Sequence, residues 1–552
     1  MTPRAKWPSG VAKTLALPEQ TLAANLIASA RKFAQRTAII FHGAHYDYQT
    51  LLDQVEKLSG YLQHSQGLKP GDRVLLFMQN SPQFVISYYA ILHAGGVVVP
   101  VNPMSRSAEL EYIRSDTDAK IICHGAELCE VVAPLLEAGK FECALLADYA
   151  QMANPNYDLP LPKGLQKRDL IPLTAKGFTL WQSVIDSHSG AEPATISPDD
   201  LAVIPYSSGT TGQPKGCMHS HRTVMVTAVG GVQWYSMDEN CVSLATMPMF
   251  HVTGMQAVMN GPVYAGGTVV IMTRWDRRIA AELIQRYGVT RWRSIAAMAI
   301  DFANMPDLER YDLSSLRAIG GGGAAMPAPV AHRLKTITGL DYIEGYGLSE
   351  TMAATHINPV EDARPQCLGI PVFDVDACVW SPQSGAKLGA NEVGEILLTG
   401  PQLFLGYWQR PKETEEVFVT VDGTRYLRTG DMGYVDEDGY FYMVDRLKRM
   451  INAAGFKVWP AEVEAIMHGH PEIAEVCVIG ITDTRRGETA KAVIVPVDRE
   501  NPPDPADIIK WCKTNMAAYK CPTHIEFVTN LPKSGSSKVL WRELTEQARQ
   551  SE

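Results

Sequence analysis

Apolar residues recur along the chain in two rhythms, one of helix faces and one of buried strands. Leu51, Leu52, Val55, Leu58 and Leu62 fall on one helical face, and Thr50-Leu-Leu-Asp53 fits a capping box at its start. The compact run Val74-Leu-Leu-Phe-Met78 then predicts a strand, Pro82 to His93 a helix, and Val97-Val-Val-Pro-Val101 another strand. Continuously apolar strands alternating with helices predict a parallel sheet covered on both faces. The alternation resumes with strands predicted over 201–206, 268–272, 316–319 and 341–344.

Beyond position 370 the strands become short and alternating. One is predicted over 395–399, and the stretch from Gly433 to Tyr442 predicts a hairpin turning at Asp438-Gly439. The last segment mixes strands at 474–481, 491–497 and 525–528 with a helix at 505–516 and a closing helix. The expected architecture is α/β. Residues 1–446 form a large N-terminal domain of parallel α/β subdomains with a small β-barrel over about 370–446, and 447–552 form a small α+β C-terminal domain.

Composition narrows the class. The 552 residues allow several folding units, and 46% hydrophobic with 20% charged residues is an ordinary globular balance. Disordered, collagenous and disulfide-stapled proteins are excluded. Fifty basic against sixty acidic residues give a net charge of −10, spread along the chain, which is not the footprint of a nucleic-acid binder. The ten cysteines form no CxxC pair and read as buried thiols of a reducing compartment. The N-terminus lacks the apolar stretch of a secretory signal, and the C-terminus ends without a peroxisomal address. The most apolar window, Phe84 to Val101, is broken by His93, Gly95, Gly96 and Pro100 and suits a helix–turn–strand better than a bilayer span of about 20 residues. A cytoplasmic protein with no transmembrane segment is expected.

Chemistry begins at Tyr206-Ser-Ser-Gly-Thr-Thr-Gly-Gln-Pro-Lys-Gly216, which follows a predicted strand. Glycines let backbone N–H groups approach an anion, while hydroxyls and a lysine add donors and charge. The spacing is not that of a Walker A loop. Taken alone, the string also reads as a Gly/Ser/Thr-rich surface turn. It strongly resembles the phosphate-binding motif of the adenylate-forming (AMP-binding) enzymes, in the branch of the acyl-CoA synthetases. Further motifs follow in that family's order over roughly 30–545. The resemblance implies that Ser207, Ser208, Gly209, Thr210, Thr211, Gly212 and Lys215 cradle the β- and γ-phosphates of ATP.

The other motifs carry over residue by residue. Gly345-Tyr-Gly-Leu-Ser-Glu-Thr351 resembles the adenine and magnesium motif, which implies that Tyr346 stacks on the base, Ser349 contacts phosphate and Glu350 holds Mg²⁺. Glu350 alone reads equally as a solvated carboxylate at a helix start. Arg428-Thr-Gly-Asp431 resembles the ribose motif, with Asp431 accepting from the sugar hydroxyls. Asp445-Arg-Leu-Lys-Arg-Met-Ile451 resembles the interdomain hinge, which implies that Arg446 reaches the nucleotide and that the C-terminal domain turns about Lys448. Gly455, in Asn452-Ala-Ala-Gly-Phe-Lys-Val-Trp-Pro460, lets backbone approach the pantetheine of coenzyme A, and this string is most like bacterial medium- and long-chain fatty-acid–CoA ligases. Pro532-Lys-Ser-Gly-Ser-Ser-Lys-Val539 resembles the catalytic-lysine loop and places Lys538, on the mobile C-terminal domain, at the reacting phosphate. Ser537 stands where the family has glycine.

For the acid itself, Met247-Pro-Met-Phe-His-Val-Thr-Gly254 resembles the segment flanking the acyl pocket. It would set His251 near the carboxylate and Met255 where some long-chain members carry an aromatic gate. A lone histidine is as often structural. Gly347, the run containing Gly321 and Gly322, and Ala296, Ala297 and Ala299 read either as the lining of a roomy pocket or as close strand–helix packing. The implied activity is an ATP-dependent, AMP-forming carboxylic acid–CoA ligase acting through an acyl-adenylate, with medium- to long-chain fatty acids preferred. Alternatives are a fatty acyl-AMP ligase serving a carrier protein, a ligase for an aryl or other carboxylate, and a non-catalytic nucleotide sensor. Family analogy allows a homodimer, and peripheral membrane contact stays open.

Overall fold

The computed structural model describes residues 7–162, 165–166, 173, 176–207, 213–323, 326–446, 449–453, 456–483, 487–534 and 539–551. They belong to two compact units, Lys6–Val375 with Gly400–Glu416, and Asp376–Thr399 with Val417–Glu552.

The larger unit is α/β and holds two nine-stranded sheets. In one, the strands Tyr342–Leu348, Ala318–Gly322, Arg291–Ile295, Val242–Ala245, Thr268–Ile271 and Thr37–Phe41 lie side by side and parallel. Antiparallel strands, Ala353–Ile357 and Ala44–Asp47, flank this parallel core. The other sheet centres on Val97–Pro100, Arg73–Phe77, Ile121–Gly125 and Cys143–Ala147, also parallel. Every residue of Val97–Pro100 is buried, as expected of a strand covered on both faces. The apolar window resolves as expected into the helix Pro82–His93, a turn with Gly95 at φ 80°, and that strand. All twelve residues of the helix are buried, so truncating Phe84 to alanine would cost roughly 3–5 kcal/mol.

Several boundaries differ from the pattern reading. The helix expected behind Thr50 is Tyr48–Gly60, because Asp47 is the cap; its carboxylate accepts the Thr50 amide at 2.7 Å. The strand expected over 201–206 breaks into Leu201–Val203 and Tyr206–Ser207, since Pro205 between them has no N–H for a ladder. The strand expected over 316–319 is Ala318–Gly322, three glycines long at its end, where pairing on both sides overrides weak strand propensity.

The smaller unit contains two sheets. Asp376–Trp380, Gly394–Thr399, Thr424–Val435, Phe418–Val421 and Phe441–Arg446 form an antiparallel sheet, with the expected turn at Asp438-Gly439 between two of them. The C-terminal segment pairs Ile473–Asp483 with Gly487–Pro496, to which His524–Phe527 adds in parallel, and packs the helices Pro460–Met467, Pro505–Asn515 and Trp541–Ser551 around them.

All ten cysteines are free and nine are buried. Burial pushes the thiols of Cys241 and Cys512 up to about 11 and that of Cys477 to about 12. Among the described residues no helix is long and apolar enough to cross a membrane.

Candidate active site

In the larger unit the strands Tyr206–Ser207 and Lys215–Ser220 pair antiparallel, with Lys215 opposite Ser207. Directly opposite residues share a sheet face, so a hydroxyl and an ammonium flank the mouth of one hairpin. Its tip, with Ser208, Gly209, Thr210, Thr211 and Gly212, lies outside the described residues, as do Lys448, Gly455 and Lys538. On its other side Lys215–Ser220 pairs with Gly406–Tyr407, which sets the Tyr407 ring centroid 5.0 Å from the Lys215 ammonium. Tyr407 donates its hydroxyl to Glu350 at 2.7 Å. Burial and the adjacent carboxylate raise this phenol far above its ordinary range, so it is a fixed donor.

Glu350 sits in the 3-10 turn Ser349–Thr351 at the end of the Tyr342–Leu348 strand. Thr351 closes the turn, its hydroxyl accepting the Leu348 amide at 2.8 Å and donating to the Ala353 carbonyl at 2.7 Å. Nε2 of His219 meets the Ser349 carbonyl at 2.8 Å; burial pushes this ring down to about 4, which leaves it a neutral donor at pH 7. Met352 and Ala353 follow with φ of 47° and 89°. Non-glycine residues in the left-handed region cost of order 1–3 kcal/mol each, and such strain collects at functional sites. The kink returns Ala353–Ile357 alongside Tyr342–Leu348, with Gly347 opposite Ala354. A Cβ on Gly347 would overlap the Ala353 carbonyl, so only glycine permits this approach. Tyr346, nearly buried, packs edge-on to His356 at 5.8 Å.

Among the described residues, no three or more metal-ligating side chains gather. A single carboxylate held by a tyrosine hydroxyl fits a hard cation that takes its other ligands from phosphate and water.

In the smaller unit Asp431 stands opposite Arg446 in the ladder, and Nε of Arg446 pairs with its buried carboxylate at 3.0 Å. The turn before Asp431 is pinned by Glu395, which accepts the Gly430 amide at 3.1 Å and pairs with Arg428 at 2.9 Å. Asp445 is buried and accepts the amides of Arg446 at 2.6 Å and Ala461 at 2.7 Å. Burial raises its carboxyl, against the opposing pull of Arg449.

His251 caps the short helix Val252–Gly254, its Nδ1 accepting the Thr253 amide at 3.3 Å. An accepting Nδ1 puts the proton of the neutral ring on Nε2. The loop before it is stapled by buried Asn80, which donates to the Met247 carbonyl and accepts the Met249 amide, both at 2.8 Å. After the cap the chain winds into a π-helical turn, Met255–Asn260, a local irregularity frequent at functional sites.

Against this turn lies an open pocket, bounded by Thr253, Gln256 and Ala257, by Gly230 and Gly231 of the helix His221–Trp234, and by Ala353 and Ala354. Its lining does not include His251, Met255, Gly321, Gly322 or Gly347. At those three glycines a Cβ would meet backbone. Ala296 and Ala299 join the core around Trp292 and Phe302. Tyr407, Asn80 and Gln402, a further cavity residue, were not singled out by the sequence motifs.

The AMP-binding enzyme family model matches residues 26–408, and that of the AMP-binding enzyme C-terminal domain matches 462–538. A long-chain-fatty-acid–CoA ligase of Bacillus subtilis (strain 168) is 34% identical, covering 98% of this chain and 97% of its own. A feruloyl-CoA synthase of Amycolatopsis sp is 33% identical over 93% of this chain and 96% of its own. Among solved structures, the anthranilate CoA ligase AuaEII in complex with anthranoyl-AMP superposes with a TM-score of 0.85 at 26% identity, covering 97% of this chain and 98% of its own. The hairpin with Lys215, the Glu350 turn and near-complete coverage by such relatives agree: the chain belongs to the AMP-binding enzyme family and is an AMP-forming acid–CoA ligase.

Proposed function

We propose that this ligase activates a medium- to long-chain carboxylic acid held in the cavity beside His251. The observation that carries the reading is the pocket itself, which small residues, among them Gly230, Gly231, Ala257, Ala353 and Ala354, keep open beside the Glu350 turn. The feruloyl-CoA synthase among the relatives favours an aryl acid as second reading.

In this mechanism Ser207, Ser208, Thr210, Thr211 and Lys215, with the backbone of Gly209 and Gly212, hold the β- and γ-phosphates of ATP. Tyr346 stacks on adenine, Ser349 contacts phosphate, Asp431 accepts from the ribose hydroxyls and Arg446 reaches the nucleotide. A Mg²⁺ held by Glu350, itself oriented by Tyr407, supplies neutralising charge on the phosphates. The acid's carboxylate, oriented by Nε2–H of His251, attacks the α-phosphate and pyrophosphate leaves. Lys538 bridges the negative charges that this attack brings together. Residues 447–552 then turn about Lys448, withdrawing Lys538 and bringing the backbone at Gly455 to the pantetheine arm. The thiol of CoA displaces AMP from the acyl-adenylate. The reaction takes place in the cytoplasm.

The test is incubation with MgATP, CoA and a pooled panel of alkyl and aryl acids, read by mass spectrometry. Alkyl thioesters of medium or long chain with AMP are expected. Aryl thioesters alone would establish the second reading, acyl-adenylate without thioester would point to a carrier acceptor, and absence of AMP with every acid would overturn the proposal.

A further inference from the structure

The cavity beside His251 does not end as a hydrocarbon slot. Its wall includes Arg291 and Arg293, both on the strand Arg291–Ile295 and both facing away from the Trp292 core. Arg293 is level with Gly320 and through it with Ile343, which lies six residues, ~20 Å along the strand, before the Glu350 turn. The charges therefore lie toward the end of the pocket remote from the Glu350 turn.

Among the described residues neither guanidinium pairs with a carboxylate. Both lie against Tyr235, with their centres 4.5 and 5.2 Å from its ring centroid. Arg291 donates to the Tyr235 carbonyl at 3.1 Å, and Arg293 to the Tyr235 hydroxyl at 2.7 Å and the Ile343 carbonyl at 3.3 Å. A guanidinium has five N–H donors, so most are left over for a ligand. Among the described residues no acidic side chain lines the cavity. Glu344, two strands away, spends both oxygens on the amides of Met326 and Gln366. Arg291 is 9% exposed, and a buried cation without an anion is costly.

A second observation points the same way. Gln402 lines the same cavity at 1% exposure, and among the described residues neither its side-chain nitrogen nor its oxygen has a hydrogen-bond partner. Buried amides are almost always satisfied, so this one marks a place for a polar ligand group. A simple fatty acid would leave all three side chains desolvated and unmatched.

We propose that the substrate is an aliphatic acid bearing a second carboxylate at its far end, seated in the fork of Arg291 and Arg293. The planar guanidinium is the side chain best matched to a carboxylate in a desolvated pocket. The proposal rests on the ligase reading above and narrows its substrate class.

The experiment compares monocarboxylic and α,ω-dicarboxylic acids of equal length, octanoic against octanedioic through tetradecanoic against tetradecanedioic, with the full-length enzyme, MgATP and CoA. At the best length the diacid is expected to exceed the monoacid in kcat/KM by about tenfold or more, because a site built for a polar group rejects analogues lacking it. Arg293→Met and Arg291→Met should each lower that ratio by about tenfold, while Arg293→Lys retains part of it. Preference of the wild-type enzyme for monoacids, with thioester formed, would overturn the second-carboxylate proposal and leave the ligase reading standing. So would a ratio unmoved by either methionine variant with an unchanged melting curve. No AMP from either series would overturn both. The wild-type ratio decides the matter even where a variant fails to fold.

Discussion

The hydroxyl of Tyr407 donates to the carboxylate of Glu350 at 2.7 Å, from a strand that also borders the lysine-bearing arm of the phosphate hairpin. One residue thereby ties together the candidate cation ligand and the candidate phosphate lysine. Tyr407→Phe removes a hydrogen bond to a charged group, worth about 1.5–3 kcal/mol, and keeps the ring beside Lys215. We expect kcat/KM for MgATP to fall roughly ten- to hundredfold. An unaltered nucleotide response would detach Tyr407 from the mechanism.

Lys538→Ala should separate the two half-reactions. Formation of acyl-adenylate, followed by pyrophosphate release, is expected to drop by at least about 10³-fold, the scale of losing a preorganised charge at the transition state. Thioester formation from supplied acyl-adenylate should survive. Equal loss of both steps would mean that another group carries the charge.

Gly231 offers a test of the cavity. A Cβ placed there meets no atom within 4 Å, whereas at Gly230 it would touch the Phe373 ring at 3.4 Å. Gly231→Leu should therefore project into the cavity without displacing the helix, which gains up to about 1 kcal/mol from losing a glycine. The longest accepted acids are expected to lose more than tenfold in kcat/KM, the shortest to lose least, and the melting temperature to hold or rise. Uniform loss across chain lengths would count against this cavity as the acyl site.

Glu344 carries a pH signature. Burial pushes its carboxyl up from 4.5 to about 7, opposed by the amides of Met326 and Gln366. Between those values the folded state keeps a proton that the unfolded chain has released, so stability falls as pH rises through that window. The effect amounts to at most about 3 kcal/mol, fully present as stability below the lower value and lost above the upper one. Melting temperatures of wild type and Glu344→Gln, compared from acid to mildly alkaline pH, should converge or cross as the wild type weakens. A constant difference would show that Glu344 does not titrate there.

Much of this was legible in the chain. The helix Pro82–His93 was read to the residue, because Ser81 and Pro82 mark its start and the Gly95-Gly96 pair its end. The Asp438-Gly439 turn was found through its own chemistry. The Thr50 cap misled because the carboxylate of Asp47, three residues earlier, accepts the Thr50 amide and starts the helix sooner. Tyr407 was invisible because its partner lies 57 residues away and only the sheet brings them into contact. The Arg291-Trp-Arg293 alternation, by contrast, was a signal left unused. Two charges flanking an aromatic, in a sheet otherwise made of apolar parallel strands, already predict that one face of that strand borders something other than core.

The buried thiols have a practical bearing on how such an enzyme is watched. With burial holding Cys241, Cys477 and Cys512 protonated at neutral pH, the native protein offers little thiolate to a chromogenic disulfide reagent. The thiol of CoA then dominates the colour, and its disappearance reports turnover without prior alkylation of the protein. The same reagent acquires a second use when the chain opens, since ten sulfurs become titratable at once and their slow appearance counts the unfolded fraction.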